Sequence, residues 1–101
     1  MKVLLSESSS IALRADANQR LQVQGLPGGD QSLRRLRLQV RGSSLEAVLD
    51  GRAVSLPLGE LLTVQNDDPR GIWLGQRRYR GVLRVSARGG RLRVVNAVGI
   101  E

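Results

Sequence analysis

Arginine is the side chain best placed to do chemistry in this chain of 101 residues. Residues 70–93 include eight arginines and no acidic residue. Side-chain alternation about the Gly89-Gly90 turn predicts that four of these arginines share the solvent-facing side of a β-hairpin. They are Arg84, Arg88, Arg91 and Arg93, named here the arginine ladder. Guanidinium groups form paired hydrogen bonds with carboxylates and phosphates. The ladder is therefore predicted either to bind a phosphate or an acidic glycan, or to be solvated or paired with acids from elsewhere in the chain.

Other reactive side chains are scarce. The chain has neither His nor Cys, which removes the usual general base near neutral pH, disulfides and thiolate metal ligands. Most of the short carboxylates fall in predicted turns, where they commonly hydrogen-bond the backbone. These are Asp30, Asp50, Asp67 and Asp68. Asp67-Asp68 lacks the additional oxygen ligands that a divalent cation needs. We therefore predict no catalytic residue, cofactor or metal site, and we expect Glu46 to pair with a neighbouring arginine.

The composition favours one small domain with an aliphatic core. Hydrophobic residues make up 41% of the chain, enough for a packed interior. The only aromatic residues are Trp73 and Tyr79, and Phe is absent. Trp73 stands between Ile72 and Leu74, a setting that predicts a core position. The domain is predicted to span residues 1–101.

Alternating segments separated by turn residues indicate an all-β fold. In residues 35–41, apolar and polar side chains alternate as in a strand with one buried face. Asp50-Gly51 and Gly89-Gly90 predict tight hairpins. We expect a small sandwich or barrel of about nine or ten short, mainly antiparallel strands. The predicted strands are 11–15, 20–24, 35–41, 45–49, 52–56, 61–65, 72–74, 77–80, 82–87 and 91–96.

One region also fits a helix. Leu33, Leu36 and Val40 could share one helical face, and Ser44 could cap a short helix over residues 45–49. Gly42 and the neighbouring valines favour the strand interpretation.

The net charge of +7 leaves several classes of partner open. A basic surface suits nucleic acid, an acidic polymer or anionic lipid. Proteins that bind single-stranded nucleic acid usually stack bases on several aromatic rings, and this chain has two. A small basic β module that contacts nucleic acid through phosphates alone is therefore the less favoured alternative.

The end of the chain resembles one family of bacterial cell-wall proteins. Residues 76–81, Gln-Arg-Arg-Tyr-Arg-Gly, precede an alternating strand, a glycine turn and Leu-Arg-Val-Val-Asn at residues 92–96. This order resembles the SpoIID/LytB family, which includes the stage II sporulation protein D and the amidase enhancer. Residues 2–5 suit the first strand of that family, and residues 97–101 match its short linker and following acid. The family motif positions are Tyr79, Arg80, Gly81 and Asn96. We expect Tyr79 to pack, Gly81 to allow a bend and Asn96 to cap the exit of its strand.

The resemblance implies a function at peptidoglycan. Family members act on the cell wall, either as a lytic transglycosylase or by assisting an amidase. The catalytic Glu of the family lies downstream of the Val-Val-Asn strand, and Glu101 matches a different acid by position. Residues 1–101 are thus expected to be an N-terminal, non-catalytic β portion that supports or shapes a glycan cleft completed downstream. The implied partners are peptidoglycan or another wall component and a cell-wall amidase.

The resemblance also implies export to the cell envelope, periplasmic or extracellular. The apolar run Val3-Leu4-Leu5 is too short for the core of a signal peptide or for a membrane span. We therefore expect any leader to have been removed.

Overall fold

Two antiparallel β-sheets account for the part of the chain described by the computed structural model, residues 2–16, 19–26, 29–57, 61–66 and 71–97. The strands in chain order are β1 (Lys2–Ser8), β2 (Ser10–Arg14), β3 (Leu21–Gln24), β4 (Gln31–Leu33), β5 (Arg35–Arg41), β6 (Ser44–Leu49), β7 (Arg52–Pro57), β8 (Leu62–Gln65), β9 (Ile72–Leu74), β10 (Arg77–Tyr79), β11 (Val82–Arg88) and β12 (Arg91–Ala97). Within these ranges there is no helix, and so none that could cross a membrane.

In the part of the chain that the structure describes, each sheet has six strands and open edges. The first sheet has the order β1-β12-β11-β8-β3-β4, and the second has the order β10-β9-β2-β5-β6-β7. Within the described ranges neither sheet closes on itself, so the fold is a sandwich and not a barrel. The predicted all-β class is confirmed, with twelve strands in the described residues in place of nine or ten. The three-residue edge strand β4 was missed, and β1 was expected only from the resemblance.

Strand alternation separates the core from the two outer faces. In β5, Leu36 and Leu38 are buried while Arg35 and Arg37 are exposed. Leu36 lies opposite Leu13 of β2 on one side and Leu49 of β6 on the other. The helical interpretation of this region is wrong, because the apolar residues repeat every second position and pair with strands on both sides.

The core is aliphatic, as expected. Its largest fully buried side chains are Leu13, Leu21, Leu36, Leu38, Leu45, Leu56, Leu62, Ile72, Leu83, Leu92, Val23 and Val64. Trp73 is not among them, so its predicted core position is wrong. Ile72 takes the inward position in β9, and alternation turns Trp73 to the outer face of the second sheet.

The two glycine hairpins form as predicted. Asp50 and Gly51 have φ values of +52° and +91°, and Gly89 and Gly90 have +60° and +78°. Two successive positive φ values are the mark of a type I′ turn, whose twist matches that of paired strands. The Asp50 carboxylate also accepts hydrogen bonds from the backbone N–H groups of Arg34 (2.9 Å) and Arg35 (2.8 Å). These bonds fix the β6–β7 turn against the start of β5.

Candidate anion-binding faces

The four family motif positions lie together where the chain passes from the second sheet to the first. Tyr79 ends β10 and packs, half-buried, against the core. Arg80 and Gly81 then lead into β11, and Gly81 has a φ of +88° at the bend. Asn96 of β12 is buried, with 6% of its surface exposed. Its Nδ2 donates to the carbonyl oxygens of Arg80 at 2.7 Å and Val82 at 3.4 Å.

This geometry gives Asn96 a role that the sequence does not predict. Asn96 points inward, as do Leu92 and Val94 on the same strand. A buried amide requires hydrogen-bond partners, and the carbonyl groups beside Gly81 supply them. Asn96 therefore fixes the start of β11. The chain beyond residue 97 lies outside the described residues, so the predicted cap at the exit of β12 stays a prediction. The motif positions act as a structural unit that carries the chain between sheets.

The arginine ladder lies on the outer face of the first sheet. In the β11–β12 hairpin, Arg88 lies opposite Arg91, Ser86 opposite Arg93 and Arg84 opposite Val95. All four ladder arginines are exposed. The alternation about Gly89-Gly90 thus places them on one face, as the sequence predicts.

The ladder carries more positive charge than its neighbours neutralise. Arg93 lies opposite Glu7 of β1 and pairs with it, Nε to Oε2, at 3.3 Å. Within the described residues, no carboxylate lies at ion-pair distance from Arg84, Arg88 or Arg91. Like charges directly opposite each other, as at Arg88 and Arg91, destabilise a strand pair by up to about 1 kcal/mol. An anion bound between these guanidinium groups would relieve that repulsion.

Amides and hydroxyls continue the outer face of the first sheet beyond the ladder. Thr63 of β8 lies opposite Arg84, and Gln24 of β3 lies opposite Thr63. Gln22 of β3 is exposed, and its Nε2 donates to Ser32 Oγ at 3.0 Å. Such groups donate and accept hydrogen bonds as the hydroxyls and amides of a glycan do. Sequence reasoning missed this half of the face because β8 and β3 reach it through pairings distant along the chain.

On the second sheet, Trp73 is held between two arginines. The guanidinium carbons of Arg14 and Arg78 lie 4.4 and 4.5 Å from the centre of its ring. These arginines are its cross-strand partners in β2 and β10. Asp16 accepts a hydrogen bond from Trp73 Nε1 at 2.8 Å and pairs with Arg78 Nη2. Both faces of the indole are therefore covered by cations.

A concavity of about 480 Å³ lies beside this stack. Arg14, Arg35 and Arg37 line it, together with the small apolar side chains of Ala12 and Val48. We name it the second-sheet concavity. The alternation in residues 35–41 predicts that Arg35 and Arg37 face solvent. It gives no indication that Arg14 joins them.

The carboxylates of the described residues do not gather into a cluster. In that part of the chain, no three His, Cys, Asp or Glu side chains come close enough to hold a metal ion. Glu46 pairs with Arg41, Oε2 to Nε, at 3.3 Å, as the sequence predicts. Further predictions from the sequence concern Asp67-Asp68 and Glu101. These residues lie outside the described part of the chain.

Comparisons with protein-family models, with curated proteins and with solved structures found no match to this chain. Fold and surface together define a two-sheet antiparallel β sandwich with arginines on the outer face of each sheet.

Proposed function

We propose that this chain is a non-catalytic β portion of a bacterial cell-wall protein resembling the SpoIID/LytB family, and that it binds peptidoglycan through the arginine ladder. Residues outside this chain would complete the glycan cleft that the β portion supports or shapes. The observation that carries the proposal is the row of guanidinium groups at Arg84, Arg88 and Arg91 on an exposed sheet face, none of which has a carboxylate partner among the described residues.

The chemistry of peptidoglycan fits both halves of this face. Stem peptides carry free carboxylates, and so do the lactyl groups of glycan strands from which the peptides have been removed; guanidinium groups bind such carboxylates through charge-assisted hydrogen bonds. The sugars carry hydroxyls and N-acetyl groups, which suit Gln22, Gln24 and Thr63. A flat face with cations on one side and amides on the other can follow an extended polymer over several strands.

The motif positions also bear on how the arginine ladder is held in the sheet. Tyr79, Gly81 and Asn96 form one unit that places β11 in the first sheet, and β11 carries Arg84 and Arg88. By setting the sheet crossover, these positions would hold the ladder in place on the proposed glycan-binding face.

Nucleic acid fits this surface less well. Both faces of Trp73 are covered by guanidinium groups, and Tyr79 packs against the core. Neither ring offers a free platform for stacking a base. Nucleic acid would have to bind through phosphate contacts alone, and its retention would fall steeply with salt.

Co-sedimentation with purified peptidoglycan free of teichoic acid tests the proposal. The wild-type chain is expected to pellet with the wall. Replacing Arg84, Arg88 and Arg91 together by Gln removes three exposed cations, each contributing roughly 0.2–1 kcal/mol. The affinity for peptidoglycan is then expected to fall by at least about threefold, and by about a hundredfold at the upper end of that range. Arg93 is kept, since its loss would leave Glu7 without its partner.

The matched control removes the same charge from elsewhere on the surface. Arg35, Arg37 and Arg52 are also exposed, and none has a carboxylate partner in the described part of the chain. Their joint replacement by Gln should leave wall binding within about twofold of wild type. Equal losses in both triple variants, or no wild-type pelleting, would contradict the proposal. If the wild-type chain bound a single-stranded oligonucleotide more tightly than peptidoglycan, that result would favour the alternative in which nucleic acid binds through phosphate contacts.

A further inference from the structure

We propose that the second-sheet concavity is a binding site for a phosphorylated sugar. It lies on the second sheet, whereas the arginine ladder lies on the first. The peptidoglycan proposal does not require it. Three features indicate the class of ligand. They are the number of guanidinium groups, the small apolar side chains that line the concavity, and the nearby carboxylates that already have partners.

Strand register brings three arginines to one place. Arg14 of β2 lies directly opposite Arg35 of β5, and Arg37 lies two residues further along the same face of β5. Directly opposed Cβ atoms are about 4.5–5.5 Å apart and diagonal ones about 7–8 Å, so the three side chains can reach one small group. Ala12 lies opposite Arg37, and its small side chain leaves open space beside the three arginines.

The described carboxylates on or next to the second sheet already have partners. Asp50 accepts two backbone N–H groups, and Glu46 pairs with Arg41. Asp16 binds Trp73 and Arg78. Among the described residues, no carboxylate lies at ion-pair distance from Arg14, Arg35 or Arg37. The positive charge at the concavity is therefore available to an external anion.

Arg14 is held in place before any ligand arrives. Its guanidinium carbon lies 4.4 Å from the centre of the Trp73 ring. Stacking holds one face of the planar group and leaves its N–H edge free to donate. An immobilised arginine loses less conformational entropy when it binds a ligand than a free one does.

Three guanidinium groups suit phosphate better than carboxylate. A phosphate monoester presents three terminal oxygens and up to two negative charges, enough for hydrogen bonds to three arginines. A carboxylate presents two oxygens and one charge. The lining side chains of Ala12 and Val48 are small and apolar, so the C–H face of a sugar ring can pack on them. The volume of about 480 Å³ lies within the range of small-molecule sites.

The chain has one tryptophan, which reports on the site through Arg14. Titration with glucose 6-phosphate is expected to change Trp73 fluorescence saturably, with calorimetry giving the same Kd. Glucose and glucuronate should bind at least about tenfold more weakly, and inorganic phosphate should fall between. Arg35→Gln combined with Arg37→Gln leaves the Trp73 stack intact and should raise the Kd for glucose 6-phosphate by about tenfold or more.

The matched control is Arg84→Gln combined with Arg88→Gln, which removes equal charge from the first sheet. Its Kd for glucose 6-phosphate should stay within about twofold of wild type. Glucuronate binding as tightly as glucose 6-phosphate would overturn the phosphate assignment. Equal weakening in both double variants, or no saturable heat with the wild type, would overturn the site itself. Peptidoglycan pelleting is measured separately, so failure here leaves the ladder proposal standing, and the reverse also holds.

Discussion

Gly71→Ala is expected to lower the free energy of unfolding by about 4 kcal/mol or more. Gly71 has a φ of +102°, which strains any residue with a Cβ. A Cβ built there would also lie 2.3 Å from the carbonyl oxygen of Tyr79. That oxygen belongs to the backbone and cannot turn aside as a side chain could. The close approach holds the start of β9 against the end of β10, next to the crossover into β11. Urea denaturation followed by circular dichroism measures the loss.

Gly29→Ala is the matched control for the clash. Gly29 has a φ of +109°, close to that of Gly71, but a Cβ there would meet no atom of the described residues within 4 Å. Its replacement should therefore cost only the backbone strain, about 1–3 kcal/mol. If the two variants lose the same stability, the contact between Gly71 and Tyr79 does not contribute as described.

Asp16→Ala is expected to destabilise the fold by about 3 kcal/mol, because it leaves a largely buried arginine without its counter-charge. The side chains of Arg78 and Asp16 are only 29% and 17% exposed. Arg78 Nε is already buried with no hydrogen-bond partner among the described residues. Trp73 Nε1 would also lose its acceptor. Urea denaturation should show the loss, and Trp73 fluorescence should change in the native state.

Glu46→Ala provides the comparison with an exposed ion pair on the same sheet. Arg41 and Glu46 lie 3.3 Å apart, but their side chains are 61% and 36% exposed. Exposed pairs contribute about 0–1 kcal/mol, so this variant should unfold close to wild type. If Asp16→Ala and Glu46→Ala lowered the free energy of unfolding equally, burial would not determine how much the Asp16–Arg78 ion pair contributes to stability.

Much of the fold could be predicted because its determinants are local. The alternation of Leu36 and Leu38 with arginines specifies a strand and its buried face. Asp50-Gly51 and Gly89-Gly90 specify turns because few residues accept two successive positive φ values. Both features occupy a few consecutive residues. Neither requires knowledge of which distant strand pairs with which.

Trp73 shows where local patterns fail. Its neighbours Ile72 and Leu74 are both apolar, so the three residues show no alternation from which to choose a face. The choice is made by the pairing of β9 with β2 and β10, which surrounds Trp73 with Arg14, Arg78 and Asp16. Arg14 and Asp16 are more than fifty residues away in the sequence. A lone tryptophan next to apolar residues could not reveal them.

The candidate sites also differ in whether the local sequence is enough to predict them. The arginine ladder could be predicted because a single hairpin holds all its members. The amide and hydroxyl groups on the outer face of the first sheet could not be predicted, and neither could the second-sheet concavity. Thr63, Gln24 and Arg14 meet their neighbours only through the pairing of strands that are far apart in sequence. The role of Asn96 was missed for a related reason. Its partners, the carbonyls of Arg80 and Val82, belong to the adjacent strand and its lead-in.

The central functional proposal is that peptidoglycan contacts the first sheet through specific arginines. Nuclear magnetic resonance of the arginine Nε–Hε groups, during titration with soluble glycan strands prepared from peptidoglycan, tests it most directly. Saturable shifts are expected at Arg84, Arg88 and Arg91, with the signals of Arg35 and Arg37 unchanged. Shifts of similar size at arginines of both sheets, or no shifts at saturating glycan, would contradict it.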